Sequence, residues 1–480
     1  MTAAADGFPI KLFSKVPAWL WVVALWAALY VANAGVRELH WEEGSRALQA
    51  QSMLAGGHWL VPEVCGQRYL LKPPMLPWLI AASSCITGGV NEWAARLPSL
   101  LATLAAALAV CFWVQRLASP GAGLFAAACF LLSPLALQKG ALAETDMLVT
   151  CCSFAAFFLW WRRFSFGAVG IRWWTACGLI LAVGAMAKGP PALLYFVAAA
   201  LVLVLWKRRF RELPGFLLCT ALGIAAVTAW ALVARTPGDE QIWRNELFQP
   251  RSFGLAGYLR EHLKTFAGAL AGTLPWLAAG MLAAVPRWRR RLEIDPSAAA
   301  ALVVYAAAGS LLLLFSTRSS VRYALPMVPA VAVAAGLAFH RLYQARRRAA
   351  TILIGLAVLA AAGRMAFVLA YVPLHASRHS PNRHAAEALK NVLGDGPVCI
   401  TSSVDLNVMF YLGQPATTID PQNPAGWNGA TVIYDPIDAG SFAGVRLQPL
   451  ATVPMGTKKT LLAARVSVTG PEVPVAADGR

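Results

Sequence analysis

Apolar stretches of about 20 residues recur along this chain and constrain its fold more than any other feature. They run from Val16 to Val372 with short polar breaks between them. Of the 480 residues, 58% are hydrophobic and 13% are charged, and the mean hydropathy is +0.57. This composition lies outside the range of soluble globular domains. The sequence therefore predicts an all-α polytopic membrane protein.

Lysine and arginine cluster beside the apolar stretches. The net charge of +18 could suggest a nucleic-acid partner, but basic residues next to spans instead orient the chain with those residues in the cytoplasm. Four clusters are placed inside on this basis: 162–163, 207–211, 287–291 and 341–348. Successive loops must alternate between the inside and the outside of the membrane. About eleven spans satisfy this alternation, near residues 16–35, 96–117, 121–138, 145–161, 172–187, 190–206, 213–234, 263–285, 298–315, 323–340 and 350–373.

The segment 73–89 does not fit the pattern of a span. It is short, contains Pro73, Pro74 and Pro77, and ends without a positive cluster. Counting it as a span would move the later basic clusters outside, so we expect a re-entrant or interfacial helix. The outer face then receives the loops 36–95, 139–144, 188–189, 235–262 and 316–322. Any chemistry is expected on this outer, periplasmic side.

The composition changes after about residue 376, which divides the chain into a membrane domain, 1–375, and a C-terminal periplasmic domain with its tail, 376–480. Polar residues, turn dipeptides and short β-prone runs at 397–401 and 431–434 predict a small α/β unit. Cys65 and Cys399 lie in aqueous segments, so a disulfide and two separate thiols both remain open.

The first outer loop carries the adjacent carboxylates Glu42 and Glu43 and the basic residue Lys72. Carboxylates near anionic lipid are unfavourable unless they act as a base or bind a cation, although solvated loop acids are the simpler alternative. Lys72 precedes Pro73 and Pro74, which fix its backbone, so its ammonium is a candidate phosphate ligand. The alternative is a lysine that snorkels at the interface.

Three further residues lie at the outer ends of predicted spans. Asp146 is a candidate functional acid, and Glu144 competes with it because either could be a helix-start acid. Lys188 opposes the positive-inside trend and is predicted to bind an anion. The loop 235–262 adds four arginines as candidate phosphate ligands or interfacial anchors: Arg235, Arg244, Arg251 and Arg260.

Other familiar sites are missing from the sequence. We find no Walker loop, no dinucleotide glycine fingerprint and no His/Cys cluster with metal spacing. If the protein transfers a sugar, a nucleotide-linked sugar is therefore not expected as its donor on the outer side. A sugar donor embedded in the membrane fits the pattern better.

Taken in order, these motifs resemble those of the GT-C glycosyltransferases of the protein mannosyltransferase and ArnT (lipid A aminoarabinose transferase) group. The likeness covers about residues 30–340. In the first loop, Glu42-Glu43 is similar to the family's acidic pair, 57–62 to its Gly-Asp/His-Trp-hydrophobic-Val-Pro run, and 71–75 to its Glu-Lys-Pro-Pro-Leu motif. The later matches are Asp146, Lys188 in Lys-Gly-Pro, the region 245–251, and Arg322-Tyr323 with Pro326 and Pro329. The resemblance implies a GT-C fold with about 11 to 13 spans in the bacterial inner membrane.

The resemblance also implies an activity. Such enzymes transfer a sugar, with inversion, from a polyprenyl (undecaprenyl) phosphate donor to an envelope acceptor such as lipid A, another glycolipid or polysaccharide, or a protein. The implied catalytic residues are Glu42, Asp146 and Glu43. The implied ligands of the donor phosphate are Lys72, Lys188, Arg251, Arg46, Arg322 and Tyr323.

Two positions depart from the family pattern. Glu42 replaces an Asp, which keeps a base but shifts its position, and Leu71 replaces a Glu implicated in metal binding in the aminoarabinose branch. Leucine cannot ligate a metal, so the departure argues against metal dependence and against that branch. A carrier-lipid transporter or flippase without transfer chemistry is the alternative, and it predicts charges spread through the span interiors.

Overall fold

The structure of the chain is a computed structural model. It describes residues 16–237, 239, 254–291, 293–313, 320–376, 378, 380–394, 396–420, 427–442, 445–456 and 459–468. Most of the membrane domain is helical, because its apolar stretches satisfy their backbone hydrogen bonds within each helix, as lipid requires.

The first helices frame the outer loop. Helix α1 (Ala18–Trp26) continues as a π-helical turn at Ala27–Val31, and α2 (Glu43–Gly56) begins at the acidic pair. A two-stranded hairpin, β1 (Glu63–Val64) and β2 (Gln67–Arg68), precedes α3 (Met75–Thr87). Helix α3 has 13 residues, about 20 Å at the usual helical rise, which is shorter than the bilayer core.

The remaining helices of the membrane domain follow in chain order. They are α4 (Glu92–Leu117), α5 (Pro120–Leu131), α6 (Pro134–Lys139), α7 (Asp146–Phe164), α8 (Ile171–Lys188), α9 (Leu194–Trp206), α10 (Leu213–Ala234), α11 (Leu255–Ala271), α12 (Trp276–Ala284), α13 (Pro286–Arg291), α14 (Pro296–Leu313), α15 (Val328–Ala345), α16 (Arg347–Ala366) and α17 (Val372–His375). Short 3-10 segments at Pro190–Leu193, Phe210–Glu212 and Val321–Met327 precede α9, α10 and α15.

Within the described residues, four helical segments are long and apolar enough to cross a membrane: Glu92–Leu117, Phe210–Ala234, Val321–Ala345 and Arg347–His375. A bent pair formed by α11 and α12 would make five. Shorter apolar helices account for several of the other predicted spans. The count of about eleven spans therefore stays a prediction.

The predicted span at 263–285 is sharply bent. Helices α11 and α12 meet at an angle of 92°. The break contains Gly272 and Pro275, and proline has no backbone N–H with which to continue a helical ladder. The segment is therefore two short helices rather than one straight span.

The C-terminal unit is an α/β structure, as its composition predicts. Helices α18 (Pro381–Lys390) and α19 (Leu406–Leu412) accompany a sheet with strand order β4-β3-β5-β7-β6. The strands are β3 (Val398–Ile400), β4 (Ala416–Thr418), β5 (Thr431–Tyr434), β6 (Val445–Met455) and β7 (Lys459–Val468). The first three are parallel to one another, and β7 is antiparallel to both β5 and β6.

The two cysteines of the aqueous segments lie on different sides of this sheet. Cys65 packs against the core cluster that contains Val398 and Ile400, whereas Cys399 belongs to the separate cluster that contains Val432. Neighbouring side chains of a strand point to opposite faces. The structure accordingly contains two free thiols, not a disulfide.

Candidate active site

Three cations from distant parts of the chain converge on the carboxylate of Glu42. Lys72 Nζ lies 2.5 Å and Arg46 Nη2 lies 2.7 Å from Glu42 Oε2. Arg322 Nη1 lies 3.1 Å from Glu42 Oε1. The sequence identified all four as candidate site residues, and the structure brings them together.

Local structure explains how each partner is held. Glu42 is the N-cap residue of α2, and Arg46 follows one turn later on the same face. Lys72 stands just before Pro73 and Pro74, which lead into α3. Arg322 lies in the 3-10 segment Val321–Met327, whose helical course contains Pro326. Of the three cations, Lys72 has a proline as its direct neighbour, which restricts its backbone.

The surroundings alter the pKa values of this group. Burial disfavours the charged form of Glu42, but attraction by Lys72, Arg46 and Arg322 exceeds that effect and holds its pKa well below the usual range. Burial, with repulsion from Arg46, lowers the pKa of Lys72 to about 8 although Glu42 acts in the opposite direction. Lys72 is therefore the cation of this group closest to losing its proton near neutral pH.

Asp146 forms a second ion pair beside the first. It is the first residue of α7, is 4% exposed, and pairs with Lys188 at the end of α8. The Lys188 ammonium also lies 4.6 Å from the centre of the Tyr323 ring. The candidate residues Asp146, Lys188 and Tyr323 are thus brought together next to Arg322.

A third carboxylate completes the cluster. Glu144 Oε2 lies 2.7 Å from Lys139 Nζ and 3.8 Å from Arg322 Nη1. Glu144 was predicted from the sequence as a competitor of Asp146, whereas Lys139 was not predicted. The signal was available, because Lys139, like Lys188, lies in a segment that is predicted on the outer side, where a lysine opposes the positive-inside rule.

The cluster has more positive than negative charge. Its members are the cations Arg46, Lys72, Lys139, Lys188 and Arg322 and the carboxylates Glu42, Glu144 and Asp146. With every group ionised, two positive charges remain unbalanced. Among the described residues, the buried Nε atoms of Arg46 and Arg322 also have no hydrogen-bond partner.

Glu43 turns away from this cluster. Its side chain is fully buried, and its two oxygens accept hydrogen bonds of 2.9 and 2.8 Å from Nε and Nη2 of Arg96. The same guanidinium donates to the carbonyls of Ala34, Arg37 and Glu38. Its catalytic role stays an untested prediction, whereas its contacts make it a brace between α2 and α4. Sequence reasoning missed Arg96, an arginine at the first residue of a predicted span.

One predicted phosphate ligand cannot be placed. Arg251, together with Arg244 and the region 245–251, lies outside the described residues. Arg260 is exposed on α11, and Arg235 caps the end of α10. The role of Arg251 therefore stays a prediction.

No group of three metal-ligating side chains converges within the described ranges. Leu71, which stands where the family has a glutamate, is 44% exposed and offers no donor atom. The residues at this position do not fit a metal, and we derive no step through one.

An apolar cavity of about 300 Å³ opens beside the ionic cluster. Helices α11, α12, α14 and α15 and the 3-10 segment Val321–Met327 supply its walls, which include Phe266, Met281 and Met327. Tyr323 also lines it, and the same ring contacts Lys188. Cations and cavity therefore adjoin at Tyr323.

A helical membrane domain that carries an ionic cluster and an adjoining apolar cavity is similar in fold to solved membrane glycosyltransferases. The crystal structure of ArnT from Cupriavidus metallidurans in the apo state matches 95% of this chain and 100% of its own, with a TM-score of 0.71 at 18% identity. An oligosaccharyltransferase from Archaeoglobus fulgidus, in complex with Zn and sulfate, covers 87% of this chain and 68% of its own, with a TM-score of 0.50 at 12% identity.

Sequence comparison gives a closer placement. Residues 71–232 match the family of dolichyl-phosphate-mannose-protein mannosyltransferases. The undecaprenyl phosphate-alpha-4-amino-4-deoxy-L-arabinose arabinosyl transferase of Pseudomonas aeruginosa is 31% identical over 239 residues, 49% of this chain and 41% of that protein. The Erwinia tasmaniensis protein of the same name is 30% identical over 257 residues, 51% of this chain and 45% of that protein.

The chain is thus similar in fold to ArnT and, over part of its length, similar in sequence to ArnT-type transferases, which confirms the resemblance predicted from the motifs. The matched region spans less than half the length of these curated relatives. The departure at Leu71 predicts a chain outside the aminoarabinose branch, whereas both relatives carry the name of that branch's enzyme.

Proposed function

We propose that the protein is a glycosyltransferase that moves a sugar from a polyprenyl phosphate, of the undecaprenyl type, to an acceptor at the outer face of the bacterial inner membrane. The curated relatives are named as transferases that use an undecaprenyl phosphate sugar. A second crystal structure of the Cupriavidus metallidurans protein, with a TM-score of 0.71, is bound to undecaprenyl phosphate. Both likenesses support the class of donor.

The excess positive charge of the ionic cluster carries this proposal. A polyprenyl phosphate that leaves its sugar bears close to two negative charges, which equals the two unbalanced positive charges of the cluster. The two guanidinium N–H groups without a partner, on Arg46 and Arg322, are suited to its oxygen atoms. The charge would be stabilised where it develops, which is the requirement for accelerating such a step.

The adjoining cavity is suited to the start of the lipid. Its lining is almost wholly apolar, and Tyr323 separates it from Lys188. A phosphate held by the cations would leave its first isoprenoid units at the cavity. The pairing of an anion site with an apolar cavity favours a lipid phosphate over a soluble one.

Of the two candidate bases, the geometry favours Glu42. Its side chain is 35% exposed, whereas that of Asp146 is 4% exposed and paired with Lys188. In the free enzyme three cations make Glu42 a weak base. A donor phosphate that draws those cations to itself would raise the pKa of Glu42 and prepare it to accept a proton.

The proposed step is an inverting displacement. The acceptor oxygen attacks the anomeric carbon, its proton passes to Glu42, and the bond from that carbon to the phosphate oxygen breaks. The electron pair leaves with the polyprenyl phosphate, whose charge the cations stabilise. The acceptor, whether lipid A, another envelope glycolipid or polysaccharide, or a protein, is left open by these residues.

Transfer of labelled sugar tests the function directly. Membranes that contain the wild-type protein should move label from one of a panel of polyprenyl-phosphate sugars to an endogenous envelope acceptor. Asp146→Asn should move little or none, because Lys188 loses the charged partner that holds it beside Tyr323. Matched protein levels, measured by immunoblot, are the control.

The same experiment separates the alternative function. Wild-type membranes that bind the carrier lipid but transfer no label with any donor would favour a carrier-lipid transporter or flippase. Full transfer by Asp146→Asn would show that Asp146 is not needed for the reaction, and it would still support a glycosyltransferase.

The pH dependence of transfer should report Lys72. Its pKa of about 8 means that it is charged below that pH and loses its charge as the pH rises through it. We expect kcat/KM for the donor to fall above about pH 8 and Lys72→Arg to move that fall to higher pH, because arginine stays protonated.

Lys264→Arg is the matched control, since Lys264 is an exposed lysine paired with Glu261 on α11. This variant should keep the wild-type profile. If Lys72→Arg leaves the fall of kcat/KM above about pH 8 unchanged, a group other than Lys72 causes that fall.

A further inference from the structure

The C-terminal unit contacts the chain segment that carries Glu42. Asn407, on α19, accepts a hydrogen bond of 2.9 Å at Oδ1 from the backbone N–H of Gly44. Its Nδ2 donates a hydrogen bond of 3.0 Å to the carbonyl of Trp41. One amide side chain therefore binds the backbone on both sides of Glu42 and Glu43.

Asn407 performs a task that an N-cap side chain usually performs. The N-cap residue of a helix commonly accepts a hydrogen bond from the N–H two or three residues further on. Glu42 is the N-cap of α2 but makes no such bond, because its carboxylate binds Lys72, Arg46 and Arg322 instead. The N–H of Gly44 is satisfied by Asn407 from the other domain. The carboxylate is thereby left to the cations.

The contact is close and its geometry is fixed from both sides. A Cβ atom added to Gly44 would lie 2.7 Å from Asn407 Cα and 2.7 Å from its Oδ1, so this position has room only for glycine. On the other side, Asp405 Oδ1 accepts hydrogen bonds from the backbone N–H and from Nδ2 of Asn407, at 2.9 and 2.7 Å. The orientation of the amide is therefore determined.

Backbone conformation gives a second reason for the contact. Trp41 has a φ of 55°, in the left-handed region that a residue with a side chain rarely adopts. Such a conformation persists only where the surroundings hold it, and it is found often at functional sites. The bond from Asn407 to the Trp41 carbonyl holds the chain in this turn directly before Glu42.

We propose that Asn407 is a positioning residue for sugar transfer, which it supports by fixing the Trp41–Gly44 backbone and so the direction of the Glu42 carboxylate. The inference rests on the proposed function. It gives the C-terminal unit a part in the reaction: the unit completes the active site from outside the membrane domain.

The test compares kinetic constants of purified full-length variants. Asn407→Ala should lower kcat by about 10 to 100-fold, because a small displacement of a catalytic group is sufficient for such a loss. KM for the polyprenyl-phosphate donor should stay within about twofold, because the cations and the cavity keep their own supports. A merely structural role would lower the yield or melting temperature and leave kcat per folded molecule unchanged.

Tyr411→Phe is the matched control within the same interface. The Tyr411 hydroxyl accepts a hydrogen bond of 2.7 Å from Leu39 N and donates one of 2.9 Å to Glu92, so it joins the two units without touching Trp41, Glu42 or Gly44. Its loss should affect stability and leave kcat near the wild-type value. An equal fall of kcat in Tyr411→Phe and Asn407→Ala would overturn the specific role of Asn407.

Gly44→Ala disrupts the contact between Gly44 and Asn407 from the side of α2, because the added Cβ would clash with Asn407. This variant keeps the proposal testable if Asn407→Ala folds poorly. It should lower kcat in the same way, and the losses of the two variants should not multiply in the double variant, because both disrupt one contact. Wild-type kcat in both single variants would refute the positioning role. Absence of transfer in the wild type would instead refute the proposed function.

Discussion

Glu42→Gln should lower sugar transfer by about 100 to 10,000-fold, the usual range for loss of a general base. The amide keeps the size of the side chain but cannot take the acceptor proton. It also no longer balances Lys72, Arg46 and Arg322, which lie within 3.1 Å of the carboxylate. Because the amide leaves the cations without an opposing charge, donor binding should be kept or strengthened. The measurement is kcat and donor affinity on the same purified protein.

Glu63→Gln is the matched control for this prediction. Glu63 lies in the same outer loop, and its charged contact is a separation of 3.6 Å from His58. It should transfer sugar at the wild-type rate. If Glu42→Gln retains wild-type kcat, the base is not Glu42, and Asp146 becomes the candidate.

Loss of Arg96 should have the largest effect on stability. Arg96 is 2% exposed, and every one of its guanidinium nitrogens donates to Glu43 or to a backbone carbonyl of the segment 34–38. Arg96→Met would leave the Glu43 carboxylate buried without its charged partner. Breaking a buried pair in this way typically costs about 3–5 kcal/mol. We expect a marked fall in the thermal unfolding midpoint of the detergent-solubilised protein.

An exposed pair provides the comparison. Lys264→Ala breaks the ion pair with Glu261, whose side chains are 56% and 36% exposed, and such surface pairs are worth about 0–1 kcal/mol. Its unfolding midpoint should stay close to the wild-type value. Adding Glu43→Leu to Arg96→Met should cost less than the sum of the single changes, because the second change removes the unpaired charge. Additive losses would show that the pair is not the source of the effect.

The charged residues of several predicted outer loops, and the order of their motifs, predicted much of the candidate site. Glu42, Lys72, Asp146, Lys188 and Arg322 were all named from the sequence, and they lie in one cluster. They were found because loops that face the same side of a membrane hold their charged residues within reach of one another. The order of the motifs along the chain then resembled a known family.

Other parts could not be read from the sequence. Glu42 and Glu43 are adjacent and chemically alike, yet one faces three cations and the other is buried on Arg96. The start of a helix separates their directions, and the sequence does not say which of the two will find a buried partner. Lys139 was missed because a single lysine at a span end is usually an interfacial anchor.

The sequence by itself determined that the chain is a polytopic membrane protein and predicted that its candidate site residues share one side of the membrane, because apolar length and the placement of basic residues are local properties. Only the tertiary structure decided which charges meet. Arg322 reaches Glu42 across 280 residues of chain, and Asn407 reaches Gly44 across 363. Contacts at such separations depend on how the helices pack and on how the C-terminal unit docks, and no local pattern encodes either.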